Sequence, residues 1–171
     1  LWCSRRALRE MRPALGGGGM IERVTVDGYV PAPAPAAFEP GTPAITAAVS
    51  LDAALGYLEA IGMERVAEHG ETLCRRAVAG LAAVPGVRIL GPLDARRTSL
   101  VSFALDRVHP HDVSARLSER GIMVRAGHHC AMPLHRALGV PASVRASFAV
   151  HTTERDIDRL VEAVRAIAEE G

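Results

Sequence analysis

The sequence predicts an α+β fold, a small sheet with helices laid on one face. Three observations predict it. Beyond residue 86, short apolar runs alternate with helical patterns. Within that stretch Ser143–Val150 alternates apart from Ala149: Val144, Ala146, Phe148 and Val150 share one face, Arg145 and Ser147 the other. The final segment sets Ile157, Leu160, Val161, Val164 and Ile167 on one stripe, the spacing of an amphipathic helix, with Thr152 or Thr153 as its cap.

The elements follow in order. Residues 4–12 read as a short Arg-rich helix that Gly16-Gly17-Gly18-Gly19 ends in a loop. Val24 and Val26 alternate with polar neighbours and predict a short half-buried strand. Pro31, Pro33, Pro35, Pro40 and Pro43 forbid a helix, so residues 28–43 read as a long extended loop. From Ala44 to Ile61 the pattern is apolar nearly all round, which predicts a mostly buried helix. Gly62 breaks it, and a second helix runs from about Glu64 to Val84 with Val66, Leu73, Ala77, Leu81 and Val84 on its apolar side; Pro85-Gly86 stops it. Val87–Leu90, Thr98–Leu105 and Ile122–Arg125 are strand candidates. Asp112 is placed to cap a helix containing Val113 and Leu117 that Gly121 ends, and Pro133 to start a short one.

A chain of 171 residues holds one domain, or one domain and a piece of a second. With 49% hydrophobic and 23% charged residues it can bury a core, which excludes wholesale disorder. A net charge of +1 predicts no general attraction to nucleic acid or membrane. No apolar run reaches the length of a membrane span, and no signal-peptide pattern opens the chain. Cys3, Cys74 and Cys130 are odd in number and far apart, which predicts a reducing compartment rather than a disulfide framework. The chain opens in mid-pattern on Leu1-Trp2-Cys3, which predicts a missing N-terminal portion. All 20 basic residues are Arg, so the chain cannot itself supply a Schiff-base lysine.

Reactive groups concentrate in Val124-Arg125-Ala126-Gly127-His128-His129-Cys130-Ala131-Met132-Pro133. A strand ends, Gly127 permits a tight turn, and a thiol follows two imidazoles ahead of a helix start. Imidazolium and a helix N-terminus both favour thiolate, so Cys130 is the candidate reactive cysteine. Cys74 in its helix and Cys3 read as small core hydrophobes. Arg145 and Arg125 are each either a surface cation or a carboxylate clamp, and spacing does not choose between the two. His109-Pro110-His111-Asp112, with His128, His129 and Cys130, raises the question of zinc, but the spacings do not match structural zinc sites, so no metal is assigned.

The segment Arg125-Ala126-Gly127-His128-His129-Cys130-Ala131-Met132-Pro133-Leu134 closely resembles the active-cysteine motif of group II, SUF-type cysteine desulfurases of the class V aminotransferase family, relatives of selenocysteine lyases. The resemblance continues through Gly139-Val140-Pro141, Val144-Arg145-Ala146-Ser147, Gly17-Gly18-Gly19-Met20-Ile21 and Phe38-Glu39-Pro40-Gly41-Thr42-Pro43, over essentially the whole chain. It implies the C-terminal small domain of a fold-type I pyridoxal 5′-phosphate (PLP) enzyme, residues 44–171, preceded by the end of the large domain, residues 1–43. The family's motif has Arg before Phe-Glu, Asn after Gly-Thr-Pro, and Tyr-Asn before the cap; here stand Ala37, Ala44 and His151-Thr152.

By the same resemblance, the complete protein is a cytoplasmic, homodimeric enzyme that converts L-cysteine to L-alanine and holds the sulfur as a persulfide for iron–sulfur cluster assembly. Cys130 is its sulfur-accepting nucleophile. Arg145, assisted by Arg125, holds the substrate carboxylate. Thr42, next to Gly41, reaches the PLP phosphate of the other subunit, and His111 engages the sulfur-acceptor protein. The family's PLP lysine falls before the position of Leu1, so the chain alone is expected to be inactive. The alternatives are a selenocysteine lyase and a non-catalytic interaction or dimerisation module.

Overall fold

The computed structural model describes residues 2–93 and 97–170, so Leu1, the opening of the chain, lies outside the described residues. The chain divides into two compact units, Leu1–Tyr57 and Leu58–Gly171.

In the first unit, α1 (Arg5–Glu10) starts at Ser4, whose hydroxyl accepts the Ala7 amide. Two antiparallel strands follow, β1 (Ile21–Thr25) and β2 (Gly28–Pro31), paired from Thr25 opposite Gly28 to Arg23 opposite Val30, with a register shift before Ile21 opposite Pro31. The extended-loop reading of 28–43 therefore fails at its first four residues. The missed signal is Asp27-Gly28, a hairpin dipeptide. The strand is also not half-buried: Val24 is 64% and Val26 101% exposed. Helix α2 (Ile45–Ile61) ends this unit and enters the next. It was expected to be mostly buried, yet none of its residues is. Ile45, Val49, Leu51, Leu55 and Tyr57 are all exposed. An all-round apolar helix demands cover, and the described residues do not supply it.

The second unit carries the core. Its sheet runs in the order β3 (Val87–Ile89), β4 (Leu100–Leu105), β6 (Ser143–Ser147), β5 (Arg125–Gly127), every neighbouring pair antiparallel. On one face Val101, Phe103, Val144 and Ala146 are buried under α3 (Met63–Ala82), α4 (Pro110–Glu119) and α6 (Glu154–Glu170). From α3 come Leu73, Cys74, Ala77 and Leu81; from α6, Ile157, Leu160, Val164 and Ile167. Fully burying a side chain of the Leu or Ile class contributes about 1.5–3 kcal/mol, so this seam holds the unit together. The α3–α6 approach is close: a Cβ at Gly80 would come within 2.7 Å of Val161. The Arg76 guanidinium donates to both Asp158 oxygens, at 2.7 and 2.8 Å, and ties the same helices on the outside. Helix α6 opens on Thr153 as expected, with Asp156 and Thr153 bonding each other's amides.

Several boundaries differ from the sequence reading: β4 starts at Leu100 rather than Thr98, β6 ends at Ser147 rather than Val150, and α3 ends at Ala82 rather than Val84. Helix α4 is capped by His109, whose Nδ1 accepts the His111 amide, with Pro110 in the first turn. Asp112 is a first-turn residue, favourable there through the helix dipole, and not the cap. Strand β5 begins at Arg125, where Ile122–Arg125 was expected; the Ile122 amide instead closes the end of α4 on the Leu117 carbonyl. Helix α5 (Met132–Leu138) lies on the sheet face opposite the three large helices, where its His135 meets Ser143.

Candidate active site

The register of the sheet builds the site. Arg125 of β5 stands directly opposite Arg145 of β6, and Ser102 of β4 is opposite Arg145 on the other side. Side chains directly opposite share a face. Ser102, Arg145 and Arg125 thus form one row across the face away from the core. Like charges in directly opposed positions are destabilising, and among the described residues neither guanidinium has a carboxylate partner. The Nε of Arg145 is enclosed without a hydrogen-bond partner. A buried N–H left unmade costs on the order of 1–3 kcal/mol. Arg145 also lines a cavity of ≈ 280 Å³ with Ser102, His129, Ser143, Leu90 and Leu134. Paired cations with an unsatisfied donor are what an anionic group such as a carboxylate would complete.

The thiol sits at the end of the neighbouring strand. Gly127, at φ 127, takes a backbone conformation that side chains disfavour. The following four residues form a turn closed by the Ala131 amide on the His128 carbonyl at 2.8 Å. Its central residues, His129 at φ 51 and Cys130 at φ 59, both lie in the left-handed region. Successive positive φ values are those of a type I′ turn, which Asn and Gly fill most readily. A left-handed residue with a Cβ costs about 1–2 kcal/mol, so the turn is strained twice. It leaves Cys130 exposed.

Two imidazoles support the turn. His129 places Nε2 at 3.3 Å from the Ser143 carbonyl; since a carbonyl only accepts, that nitrogen carries the proton. Its pKa is lowered, first by burial and further by the cations Arg145 and Arg125 and by His135, while the Ser143 carbonyl pulls the other way. His135 is buried; its Nδ1 lies 3.0 Å from the Ala131 carbonyl and its Nε2 3.0 Å from the Ser143 hydroxyl.

His111 is exposed, and its Nε2 would lie 3.7 Å from a Cβ placed at Gly127. The fold thus brings His111, far from Cys130 in sequence, beside the strand that leads into the thiol turn. Among the described residues no group of three or more His, Cys, Asp or Glu side chains is arranged to hold a metal ion. Cys74 is buried in α3, donates its S–H to the Leu100 carbonyl at 3.2 Å, and has its pKa raised by burial.

In the first unit, the Gly41 amide donates to the Gly18 carbonyl at 2.7 Å, and a Cβ at Gly17 would press on Pro40 at 3.0 Å. The glycine loop and the Gly41-Thr42 loop therefore pack backbone to backbone, with Thr42 exposed. Cys130, Arg145, Arg125 and His111, the sequence's candidates, all lie in the second unit, whereas Ser102, His135 and Ser143 carry no motif. A histidine at the fourth position after Ala131 is the only local signal for His135, since i and i+4 meet on a helix.

Comparison with known proteins gives the chain's family and fold. The aminotransferase class-V family matches residues 1–160. A probable cysteine desulfurase of Mycobacterium leprae is 49% identical over 96% of this chain and 40% of its own length. The apo structure of a cysteine desulfurase from Thermococcus onnurineus superposes with a TM-score of 0.94 at 36% identity, over 99% of this chain and 42% of that one. A cysteine desulfurase from Escherichia coli in an S-sulfonic acid form gives 0.90 at 37%, over 99% and 41%. The chain spans about 40% of the length of the curated relatives it matches.

Proposed function

The chain belongs to the aminotransferase class-V family, and from that premise we propose that it is the part of a cysteine desulfurase that carries the sulfur-accepting thiol. One observation carries the reading: an exposed thiol on a strained turn follows a strand pair whose Arg125 and Arg145 have no carboxylate partner among the described residues. The curated relatives named cysteine desulfurases support it. By the resemblance, residues 44–171 are the small domain and residues 1–43 the end of the large one.

The reaction follows from these groups. Arg145 holds the carboxylate of L-cysteine through its planar fork, with Arg125 beside it. Cys130, as thiolate, attacks the substrate sulfur. An S–S bond forms, the substrate Cβ–S bond breaks, and the electron pair returns to carbon, which takes up a proton to leave L-alanine. Enzyme thiol plus cysteine becomes enzyme persulfide plus alanine, with atoms and electrons balanced. The persulfide then passes to a sulfur acceptor of iron–sulfur cluster assembly, and the exposed His111 beside Gly127 would meet that acceptor.

PLP is the cofactor of the family. The donor set present fits it in part: the exposed Thr42 hydroxyl, beside Gly41, is free to meet a phosphate, by the resemblance that of the second subunit of a homodimer. When bound, PLP withdraws electrons from the amino-acid substrate. No lysine occurs in these 171 residues, so its covalent anchor is not among them.

The test is alanine release from L-cysteine by the full-length protein. Wild type should release alanine and Cys130→Ser should not. The chain of these 171 residues alone, mixed with PLP, should release no more than free PLP does. Equal release by wild type and Cys130→Ser would refute the reading.

A further inference from the structure

The left-handed turn of Cys130 is held from one side by a single buried side chain, His135. The Ala131 carbonyl, belonging to the residue after the thiol, can only accept, so His135 donates from Nδ1 across 3.0 Å. Its Nε2 is then the acceptor and takes the Ser143 O–H, also at 3.0 Å. Ser143 opens β6 two residues before Arg145 and lies opposite Gly127 in the ladder. Its carbonyl is at the same time 3.3 Å from His129 Nε2. One serine thus receives both supports of the turn, at its hydroxyl and at its carbonyl, on the strand that carries the carboxylate-binding guanidinium. The rings of His128 and His129 lie 5.5 and 6.2 Å from that of His135, so the whole turn packs around it.

We propose that His135 is a positioning residue: by bridging the Ala131 carbonyl to the Ser143 hydroxyl it holds the Cys130 turn in its left-handed form, in fixed register with Arg145. The proposal rests on the desulfurase reading for its kinetic consequence, not for its geometry. Without the bridge the turn keeps its backbone bonds and the 3.3 Å His129 contact against the cost of positive φ at two consecutive side-chain-bearing residues, and it relaxes toward right-handed forms that redirect the thiol. Substrate would still bind through Arg145, while the sulfur attack would lose its alignment.

The experiment uses the full-length protein with His135→Leu, His135→Asn and Ser143→Ala. Leu keeps the bulk and removes both bonds; Asn restores the donor to Ala131. The first readout, independent of turnover, is the ratio of Cys130 alkylation rates by iodoacetate and by iodoacetamide. The anionic reagent senses the field of Arg145 and Arg125, which reaches His129 next to the thiol. The ratio should fall about threefold or more in His135→Leu, less in Ser143→Ala, and recover in His135→Asn. The second readout is kinetic: in His135→Leu, kcat for alanine should fall about tenfold or more with KM for L-cysteine held within about twofold.

An unchanged ratio in both His135→Leu and Ser143→Ala overturns the proposal, as does a loss confined to KM. Should His135→Leu fail to fold, the ratio in Ser143→Ala and His135→Asn decides in its place. If the wild type releases no alanine while the ratio still responds to His135, the desulfurase reading fails and the positioning role stands.

Discussion

Cys74 and Cys130 sit in the same compact unit and illustrate opposite uses of a thiol. Cys74 lies in the middle of a helix, buried, with its S–H given to the Leu100 carbonyl and its pKa raised by burial. It is part of the seam between α3 and the sheet. Cys130 lies exposed in a turn that its own backbone resists, at the end of the strand whose Arg125 faces Arg145, neither of them with a carboxylate partner among the described residues. Packing explains the first and cannot explain the second. Strain and uncompensated charge persist where the surrounding structure holds them in place, and they gather at functional sites. The difference between the cysteines therefore lies in what the fold holds against its local preference.

The sharpest way to break this contrast is chemical. In the folded full-length protein, iodoacetamide should modify Cys130 about a hundredfold faster than Cys74, as read by peptide mapping over time. Comparable rates would remove the distinction. Arg145→Ala should next reduce kcat/KM for L-cysteine by roughly ten- to a hundredfold, the worth of a charge-assisted hydrogen-bonded pair. Arg145→Lys should recover part of it, because an ammonium cannot make the planar fork. Equal kinetics in both variants would make Arg145 a surface residue. Gly127→Ala should lower stability by about 1–3 kcal/mol in denaturant unfolding, through its φ of 127. His111→Ala should slow turnover with a sulfur acceptor a few-fold and spare single-turnover persulfide formation.

The smallest effect concerns pH. The lowered pKa of His129 means that the unfolded chain takes up a proton near pH 6.5 that the folded chain refuses until lower pH. The stability contributed by the neutral ring is complete above that value and declines as pH falls through it. The unfolding midpoint should therefore drop between about pH 7.5 and about pH 5.5 in wild type, and drop less in His129→Gln.

Where periodicity carried the information, the sequence was enough. The stripe of α6 and its Thr153 cap, the apolar side of α3 up to Leu81 and the alternation of β6 up to Ser147 are local patterns, and they appear as read. Strand β2 escaped because it is exposed along its whole length and carries no apolar alternation, its one local signal being the Asp27-Gly28 dipeptide. Helix α2 reads as buried because its composition asks for cover that the described residues lack. The same holds for the site. The turn around Cys130 was legible from Gly127 and the paired histidines. The juxtaposition of Arg125 with Arg145 is a matter of strand register, which no window of sequence contains. His135 looked like any polar residue of a short helix, and only the packing of α5 on β6 reveals what its two nitrogens hold.

The central claim is that Cys130, and not Cys74, receives the sulfur. It is tested most directly by incubating the full-length protein with L-cysteine and mapping the added sulfur on its cysteine-containing peptides by mass spectrometry. The account predicts one additional sulfur atom on the Cys130 peptide, removed by reductant, and none on the Cys74 peptide. A persulfide on Cys74, or an unmodified Cys130 while alanine accumulates, would contradict it.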